Sequence, residues 1–396
     1  MHFFIFLVLF VILGNGFLKA DEESTKAFAD DRPNIIFFLT DDQRNDFLGC
    51  TGHPIVKTPN IDKLAGEGRL FDNAFVSTSI CAASRATLLT GLYERTHRFT
   101  FGTPPIANIH TNQSYPALLK KEGYLTGFIG KFGIRVRKGA RDTMFDSFVP
   151  LNRSPYFHKQ KDGSLRHETQ VAADRAIDFL ARAKKQSEPF CLSVSFNASH
   201  AEDGDKKNHF PYPKVVGSLY EGVKMPVPRL SDPKVFESQP EFLRKSMNRD
   251  RYFWRWDTEE KYQNNMRNYL RMISGIDHAI GRVIKELKSQ GMAQNTVLIY
   301  MADNGYYAAS RGFAGKWSHY EESQRVPLII FDPRAKKEAR GKREKGIALN
   351  VDIAPTIVAL AGARMPEGYQ GRSLTSSLEG NVEKKYLAVV SGKWPK

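Results

Sequence analysis

Cys81 and Arg85 are the residues whose types and spacing most directly suggest chemistry. The small residues after Cys81, together with three leucines at helical spacing, predict a helix over 82–93. Cys81 would lie at the N-terminus of this helix, where free backbone N–H groups and the helix dipole attract anions. Arg85 follows one turn later, so its guanidinium shares a face with the thiol. A nucleophile beside a fork of donors suits a tetrahedral oxyanion, whereas an isolated cysteine is more often a buried structural thiol.

Two pairs of oxygen-bearing side chains each follow a continuous apolar run, and they suggest a metal site. The pairs are Asp41 with Asp42, and Asp303 with Asn304. Carboxylate and amide oxygens with no neighbouring Cys or His cluster select Ca²⁺ or Mg²⁺ over zinc or copper. Several carboxylates brought together would repel one another unless a cation neutralised them. An Asp-Asp pair or an Asp-Asn-Gly turn alone is weak evidence, so the prediction depends on the two pairs meeting in space.

The apolar runs predict the elements that would position these residues. Four runs end abruptly in polar residues, at 34–39, 126–130, 190–196 and 296–301. Runs of this kind are typical of strands buried on both faces of a parallel sheet, and helical periodicity lies between them, at 170–184 and 264–290. The alternation predicts a doubly wound α/β fold with a mostly parallel sheet flanked by helices. Ligands bind outside the carboxyl ends of such strands, which is where the polar residues lie.

Several segments together resemble the type I sulfatases of the alkaline phosphatase-like superfamily. The most specific is the string from Cys81 to Gly91, which resembles the signature of that family. The resemblance extends from about residue 33 to 374. The other matching segments are 32–36 with 41–43, 58–65, 302–305, 315–318, 320–323, 325–329 and 352–356.

The resemblance implies a covalent modification and a calcium ion. Cys81 would be oxidised to formylglycine by a formylglycine-generating enzyme, and the hydrate of this aldehyde would attack a sulfate ester. The implied calcium ligands are Asp41, Asp42, Asp303, Asn304 and the oxidised Cys81. The family pattern also implies roles for four polar side chains. Arg85 would stabilise the hydrate, Lys131 and Lys316 would bind the sulfate, and His200 would lie near the leaving oxygen.

Two departures from the family pattern concern residues near the proposed nucleophile. Ala83 stands where the family usually has proline, although some members carry alanine there. Gly133 stands two residues after Lys131, where the family commonly has the histidine that removes a proton late in the reaction. His97, which follows the Cys81 helix, is a candidate substitute, and the alternative is an ordinary surface histidine.

The charge balance bears on the partner. The chain has 58 Lys and Arg against 43 Asp and Glu, a formal charge of +15, which suits nucleic acid, an anionic membrane or a sulfated glycan. No zinc-finger spacing, helix-turn-helix pattern or RNP-like aromatic motif occurs, which argues against nucleic acid.

Three cysteines exclude a disulfide framework but leave a Cys50–Cys191 bridge open. The polar segment 201–262 predicts a long loop whose aromatic side chains either stack on sugar rings or cover the core edge.

The expected domain organisation is one large catalytic unit between two short segments. Residues 1–20 read as a secretory signal, since the apolar run 3–13 is too short to span a bilayer; a retained N-terminal anchor is the alternative. The catalytic domain is expected over 21–380. Residues 381–396 are expected to begin a C-terminal subdomain that is shortened relative to related sulfatases. The chain is therefore expected to be secreted or periplasmic (lysosomal or extracellular in a eukaryote), with no membrane span after signal removal.

Three functions are compatible with these residues. The leading interpretation is a hydrolase that releases sulfate from a sulfated small molecule or glycan, and the basic charge and the aromatic segment favour a carbohydrate. A phosphodiester or phosphonate monoester hydrolase of the same superfamily is the second. A catalytically silent protein that binds sulfated glycans is the third, suggested by Gly133 and the short C-terminus.

Overall fold

A computed structural model describes residues 32–186 and 188–379. Ten strands are present in this part of the chain: β1 (Asn34–Thr40), β2 (Arg69–Phe75), β3 (Leu125–Gly130), β4 (Ser147–Pro150), β5 (Phe157–Lys159), β6 (Leu165–His167), β7 (Phe190–Ser195), β8 (Thr296–Ala302), β9 (Leu328–Phe331) and β10 (Lys342–Leu349). The predicted signal over 1–20 and the predicted subdomain start at 381–396 lie outside the described residues and stay predictions.

The helices alternate with these strands along the chain. They are α1 (Pro59–Glu67), α2 (Cys81–Thr90), α3 (Glu94–His97), α4 (Asn108–Thr111), α5 (Tyr115–Lys121), α6 (Ala140–Met144), α7 (Glu168–Gln186), α8 (Pro233–Glu237), α9 (Glu241–Arg244), α10 (Met247–Arg255), α11 (Glu259–Ser289), α12 (Glu321–Gln324), α13 (Ile353–Leu360) and α14 (Thr375–Glu379). Within the described ranges, no helix is both long enough and apolar enough to cross a bilayer.

Eight strands form one sheet in the order β10-β2-β9-β8-β1-β7-β3-β4. All neighbours are parallel except β9, which runs antiparallel to both β2 and β8. A separate antiparallel hairpin joins β5 to β6. The doubly wound, mostly parallel sheet predicted from the sequence is confirmed.

The sheet is covered on both faces, which explains its continuous apolar strands. Alternate residues of β1 enter two different cores: Ile36 and Phe38 pack with α7 and α11, while Ile35 and Phe37 pack with α2, α5 and α13. A strand whose side chains are buried on both sides needs apolar residues at every position. The predicted strands and helices are therefore present, with ends that shift by a few residues.

Local signals set the helix ends. The helix predicted over 82–93 ends at Thr90 because Gly91 adopts a left-handed conformation (φ 67°) and its N–H donates to the Thr87 carbonyl. The long helix α11 begins five residues before the predicted start, where the Thr258 side chain caps the backbone N–H of Lys261.

The segment 201–262 is not one long loop, contrary to the prediction. It holds α8, α9 and α10 and the start of α11. Its aromatic residues are of two kinds: Trp256 is buried against Phe210 and Tyr306, whereas Phe253 and Trp254 are exposed.

Cys50, Cys81 and Cys191 are all free thiols in the described chain. The Cys50–Cys191 disulfide that the sequence left open is therefore not formed.

Candidate functional site

The ends of β1 and β8 bring the two oxygen-bearing pairs together. The strands are parallel neighbours in register, with Thr40 opposite Ala302. Asn304 Nδ2 donates to Asp42 Oδ1 at 2.7 Å, and the Asp42 N–H lies 3.4 Å from Asp303 Oδ1. All four side chains are buried. The meeting that the metal prediction required is therefore present.

Cys81 is the first residue of α2, and Arg85 reaches the cluster from one turn further along. Arg85 Nε donates to Asp303 Oδ2 at 2.6 Å, and its Nη1 donates to the Lys131 carbonyl at 2.6 Å and to Ser195 Oγ at 2.5 Å. Burial lowers the pKa of Arg85, but Asp303, Asp41 and Cys81 raise it further than burial lowers it. Arg85 is therefore a fixed cation that joins the thiol helix to the acidic strand ends.

Two lysines enter the same cluster from separate loops. Lys131 directly follows β3, and its Nζ pairs with Asp41 Oδ2. Lys316, on the loop after β8, pairs through Nζ with Asp42 Oδ1 and lies 3.8 Å from Asp41 Oδ1. Burial lowers the pKa of Lys316, but the surrounding acids, Asp42 foremost, and Cys81 outweigh it and raise the pKa above its usual value. Both lysine amines therefore lie directly beside the carboxylates.

Asp41 and Asp303 respond differently to this shared environment. Burial would raise the pKa of Asp41, but the charges of Lys131 and Lys316 hold it well below the usual range. Burial and the repulsion of Asp41 raise the pKa of Asp303 to about 6, against the opposing effect of Arg85. Burial and the charge of Asp41 thus both oppose ionisation of Asp303, and a bound cation would offset both effects.

His200 lies at the edge of the cluster in a neutral form. Its Nδ1 lies 2.7 Å from the Ala201 carbonyl, and its Nε2 lies 3.6 Å from Asp42 Oδ2 and 3.2 Å from Arg153 Nη1. The tautomer that donates from Nδ1 leaves the Nε2 lone pair facing the guanidinium. Burial, followed by the charges of Lys316 and Arg153, lowers the pKa of His200 well below its ordinary value.

The donor set fits a hard divalent cation. Asp41 Oδ1 and Asn304 Oδ1 are buried and have no hydrogen-bond partner among the described residues. One ligand atom from each of Asp41, Asp42 and His200 can be chosen so that all lie within 4.8 Å of one another. Orphaned buried oxygens beside mutually repelling carboxylates are the donors that a calcium or magnesium ion satisfies.

His97 is not among the residues that the fold brings to this cluster. It is buried (4% exposed), which differs from the surface histidine given as the alternative. Its Nε2 lies 3.1 Å from Thr87 Oγ1, and its Nδ1 accepts from the Phe99 N–H at 3.0 Å. Burial lowers the pKa of His97 to about 4. Both ring nitrogens of His97 are thus occupied by contacts to Thr87, in α2, and Phe99, just after α3.

Gly133, the second departure from the family pattern, lies against Arg85. Its backbone is left-handed (φ 70°), and a Cβ built at this position would lie 2.7 Å from Arg85 Cδ. The position therefore admits no side chain unless Arg85 moves. The position of the Arg85 side chain therefore depends on the absence of a side chain at Gly133.

We expect Gly133→Ala to displace Arg85 and to lower kcat/KM by about 10- to 100-fold, because small misplacements of a reacting group have effects of this size. Gly139→Ala is the matched control. Gly139 has the same left-handed backbone (φ 82°) with nothing within 4 Å of a Cβ, so it carries the strain without the contact. Steady-state kinetics and thermal unfolding of both variants separate the two effects. Equal losses of activity in the two variants would contradict the coupling.

Arg153 belongs to the site but was not found from the sequence. It follows β4 and contacts both His200 and Asp203. The short strand β4 has only three half-buried residues before a proline, so its apolar signal is weak. Its place just after the end of a strand, where ligand-binding residues of such sheets lie, was the one signal that could have indicated Arg153.

Comparisons with known proteins agree with this geometry. The family model described as Sulfatase matches residues 33–363. An N-acetylglucosamine-6-O-sulfatase of Bacteroides thetaiotaomicron is 30% identical over 88% of this chain and 71% of its own length. A solved structure in complex with its substrate D-glucosamine-2-N,6-O-disulfate is 28% identical, with a TM-score of 0.73 over 88% of this chain and 81% of its own.

A likeness in fold extends beyond sulfatases. The phosphonate monoester hydrolase from Silicibacter pomeroyi superimposes with a TM-score of 0.75 over 90% of this chain and 78% of its own, at 21% identity. A likeness at this identity concerns the fold alone. The family match over most of the described residues, together with the relatives above 25% identity, assigns the activity class. The chain belongs to the sulfatase family of the alkaline phosphatase-like fold and is a sulfuric ester hydrolase.

Proposed function

We propose that this chain removes sulfate from a sulfated carbohydrate by means of a formylglycine at position 81 and a bound Ca²⁺. The observation that carries the proposal is the convergence of Asp42 and Asp303, from separate strands, with Lys131 and Lys316 at the helix that begins with Cys81. These elements are far apart in sequence, and buried clusters of titratable groups with shifted pKa values concentrate at functional sites.

Asp41, Asp42, Asp303 and Asn304 would hold the ion, since two of their oxygens lack hydrogen-bond partners in the described chain. The ion would polarise the sulfate and neutralise the carboxylates. With the carboxylates engaged by the ion, the two lysine amines would be available to the sulfate oxygens. Cationic donors held in a dry site stabilise charge that develops on such oxygens.

The remaining residues would position the reacting groups. Arg85 is fixed by three hydrogen bonds and would orient the modified side chain one turn before it. His200 would serve the leaving oxygen through Nε2, because its Nδ1 faces the Ala201 carbonyl. Burial and the nearby cations keep the pKa of His200 low, and the negative charge of a bound sulfate would raise it towards the protonated form that a general acid requires. Cys81 requires a formylglycine-generating enzyme as a maturation partner.

The carbohydrate substrate is inferred from the relatives and the charge. The relatives include a sulfatase named for N-acetylglucosamine 6-O-sulfate and a structure that holds a disulfated glucosamine. The net charge of +15 favours polyanions over neutral partners.

Equal concentrations of a sugar sulfate, 4-nitrophenyl sulfate and a phenyl phosphonate monoester test the reaction class. We expect kcat/KM for a sulfate ester to exceed that for the phosphonate by about 100-fold or more, an effect of about 3 kcal/mol on the barrier. Release of inorganic sulfate and of phenol measures the rates. A preference for the phosphonate would overturn the proposal in favour of the second superfamily activity, and salt-sensitive glycan binding without sulfate release would indicate the silent binder.

A further inference from the structure

Three arginines surround one aspartate immediately beside the reactive cluster. Arg255 Nη2 pairs with Asp203 Oδ1, Arg251 Nη2 lies 3.4 Å from Asp203 Oδ2, and Arg153 Nη2 lies 3.6 Å from the same oxygen. One carboxylate cannot neutralise three guanidinium groups. We call Arg153, Arg251, Arg255 and Asp203 the arginine cluster.

The neighbouring groups do not complete the charge balance. Glu202 is the nearby second acid; it accepts from Ser154 Oγ at 2.7 Å and from the Gly204 N–H at 3.2 Å. Burial and the charge of Arg255 lower the pKa of His209, so this histidine adds no compensating charge of either sign at neutral pH. The charge of Asp41 also acts on Arg153, but Asp41 is already paired with Lys131 and lies near Lys316. Within the arginine cluster and its neighbour Glu202, three cations therefore face two acids.

The unsatisfied donors lie on the same three arginines. The Nε atoms of Arg153, Arg251 and Arg255 are buried and have no hydrogen-bond partner among the described residues. Arg255 is 1% exposed, whereas the side chains of Arg251 and Arg153 are 16% and 27% exposed and so face the rim. Buried guanidinium N–H groups without acceptors are costly, and an anionic oxygen atom would satisfy them.

Helix α10 fixes this cluster next to the proposed catalytic lysine. Asn248, on the same helix face as Arg251, donates to the Lys316 carbonyl at 2.6 Å. Arg251 stacks over the ring of Trp317, with its guanidinium carbon 4.6 Å from the ring centroid. Trp317 directly follows Lys316 and is 38% exposed. An aromatic ring on the rim of a polar site is a common platform for a sugar ring.

Arg153 links the cluster to the reactive site. Its Nη1 lies 2.9 Å from Nδ1 of His200, while its Nη2 faces Asp203. One guanidinium thus spans the distance between the proposed leaving-group histidine and the arginine cluster. The arginine cluster therefore directly adjoins the reactive site.

We propose that Arg153 and Arg251, supported by Arg255, bind a second oxyanion of the substrate while Trp317 packs against the sugar ring. This inference rests on the proposed function and specifies its substrate class: a sugar that carries two anionic groups, a sulfate to be cleaved and a second sulfate or carboxylate. The alternative is a purely structural network in which Asp203 anchors α10.

Paired sugars test the subsite. The probes are glucosamine 6-sulfate with glucosamine 2-N,6-O-disulfate, and galactose 6-sulfate with galactose 2,6-disulfate. Calorimetry on the full-length Cys81→Ala protein measures affinity without turnover. We expect at least one doubly anionic sugar to bind about tenfold more tightly than its monosulfated partner, an advantage that falls with added salt.

The variants compare a rim arginine with a matched surface charge. Arg251→Gln is expected to reduce the advantage of the second anion to about twofold or less, and Arg251→Lys to retain part of it as a point charge. Trp317→Ala is expected to weaken both members of a pair, because the ring contacts the sugar. Arg244→Gln removes the same charge from the exposed helix α9 and is expected to leave the advantage intact.

The outcomes distinguish the two proposals. Equal affinities within both pairs, or parallel losses for both members in Arg251→Gln with a lowered melting temperature, would overturn the subsite and support the structural network. Preference for the doubly anionic sugar in a protein whose wild type cleaves no sulfate ester would leave the subsite standing and remove the proposed function.

Discussion

Replacement of Cys81 by alanine is expected to abolish sulfate release, with a loss in kcat of about 10⁴-fold or more, as for the removal of other covalent nucleophiles. The cause is specific to this residue, because Cys81 begins α2 beside the cation Arg85, whereas burial and Asp62 raise the pKa of the Cys50 thiol. The measurement is sulfate release from a sugar sulfate under single-turnover and steady-state conditions.

Cys191→Ala is the matched control. Cys191 is buried in β7, where burial alone raises the pKa of its thiol to about 12 and keeps it unreactive. We expect this variant to lose about 1 to 2 kcal/mol of stability through the small cavity and to keep its catalytic rate. Mass spectrometry of the peptide that contains Cys81 should show an aldehyde in protein from the native host. An unmodified thiol in fully active protein would exclude the proposed nucleophile.

Removal of divalent cations is expected to have the second largest effect. Treatment with EGTA should lower kcat/KM by about 10³-fold, since the ion supplies several kcal/mol of charge stabilisation in such sites. Stability should fall as well, because three buried carboxylates lose the cation that offsets their repulsion. Ca²⁺ at about 100 times its Kd should restore about 2.7 kcal/mol, seen as a rise in Tm.

Two substitutions locate the effect. Asp41→Asn should remove most of the Tm response to Ca²⁺, because Asp41 Oδ1 is one of the buried oxygens without a hydrogen-bond partner in the described chain. Asp174→Asn breaks a half-exposed ion pair with Arg166 and Arg282 and should leave the response intact. Full activity after exhaustive chelation, with the ion's absence confirmed by elemental analysis, would refute the metal site.

The strand ends could be located from the sequence because each is marked by a local change from apolar to polar residues. A buried parallel strand requires a continuous apolar run, and the polar residues that terminate it are adjacent in the chain. The sequence therefore shows that Asp41, Lys131 and Asp303 each follow a strand, although it does not show which residues lie beside them in space. The same holds for Cys81 and Arg85, whose separation by one helical turn is written in the sequence.

The arrangement of those ends was decided by tertiary structure. The order β8-β1-β7-β3, which brings Asp303, Asp42, His200 and Lys131 to one volume, depends on packing between helices and both sheet faces. Sequence reasoning also failed over 201–262, because the short helices α8, α9 and α10 lack enough residues for a clear periodicity.

What the sequence by itself determined is the fold class, the family string from Cys81 to Gly91 and the chemistry of the candidate ligands, since each depends on residues within one element. Only the tertiary structure decided that Gly133 gives room to Arg85, and that Arg153 and Arg251 meet at Asp203. Arg251 and Asp203 are 48 residues apart in the chain, and Arg153 is 47 residues from His200. No local pattern encodes them, because charge pairing at such separations is set by the packing of the whole domain.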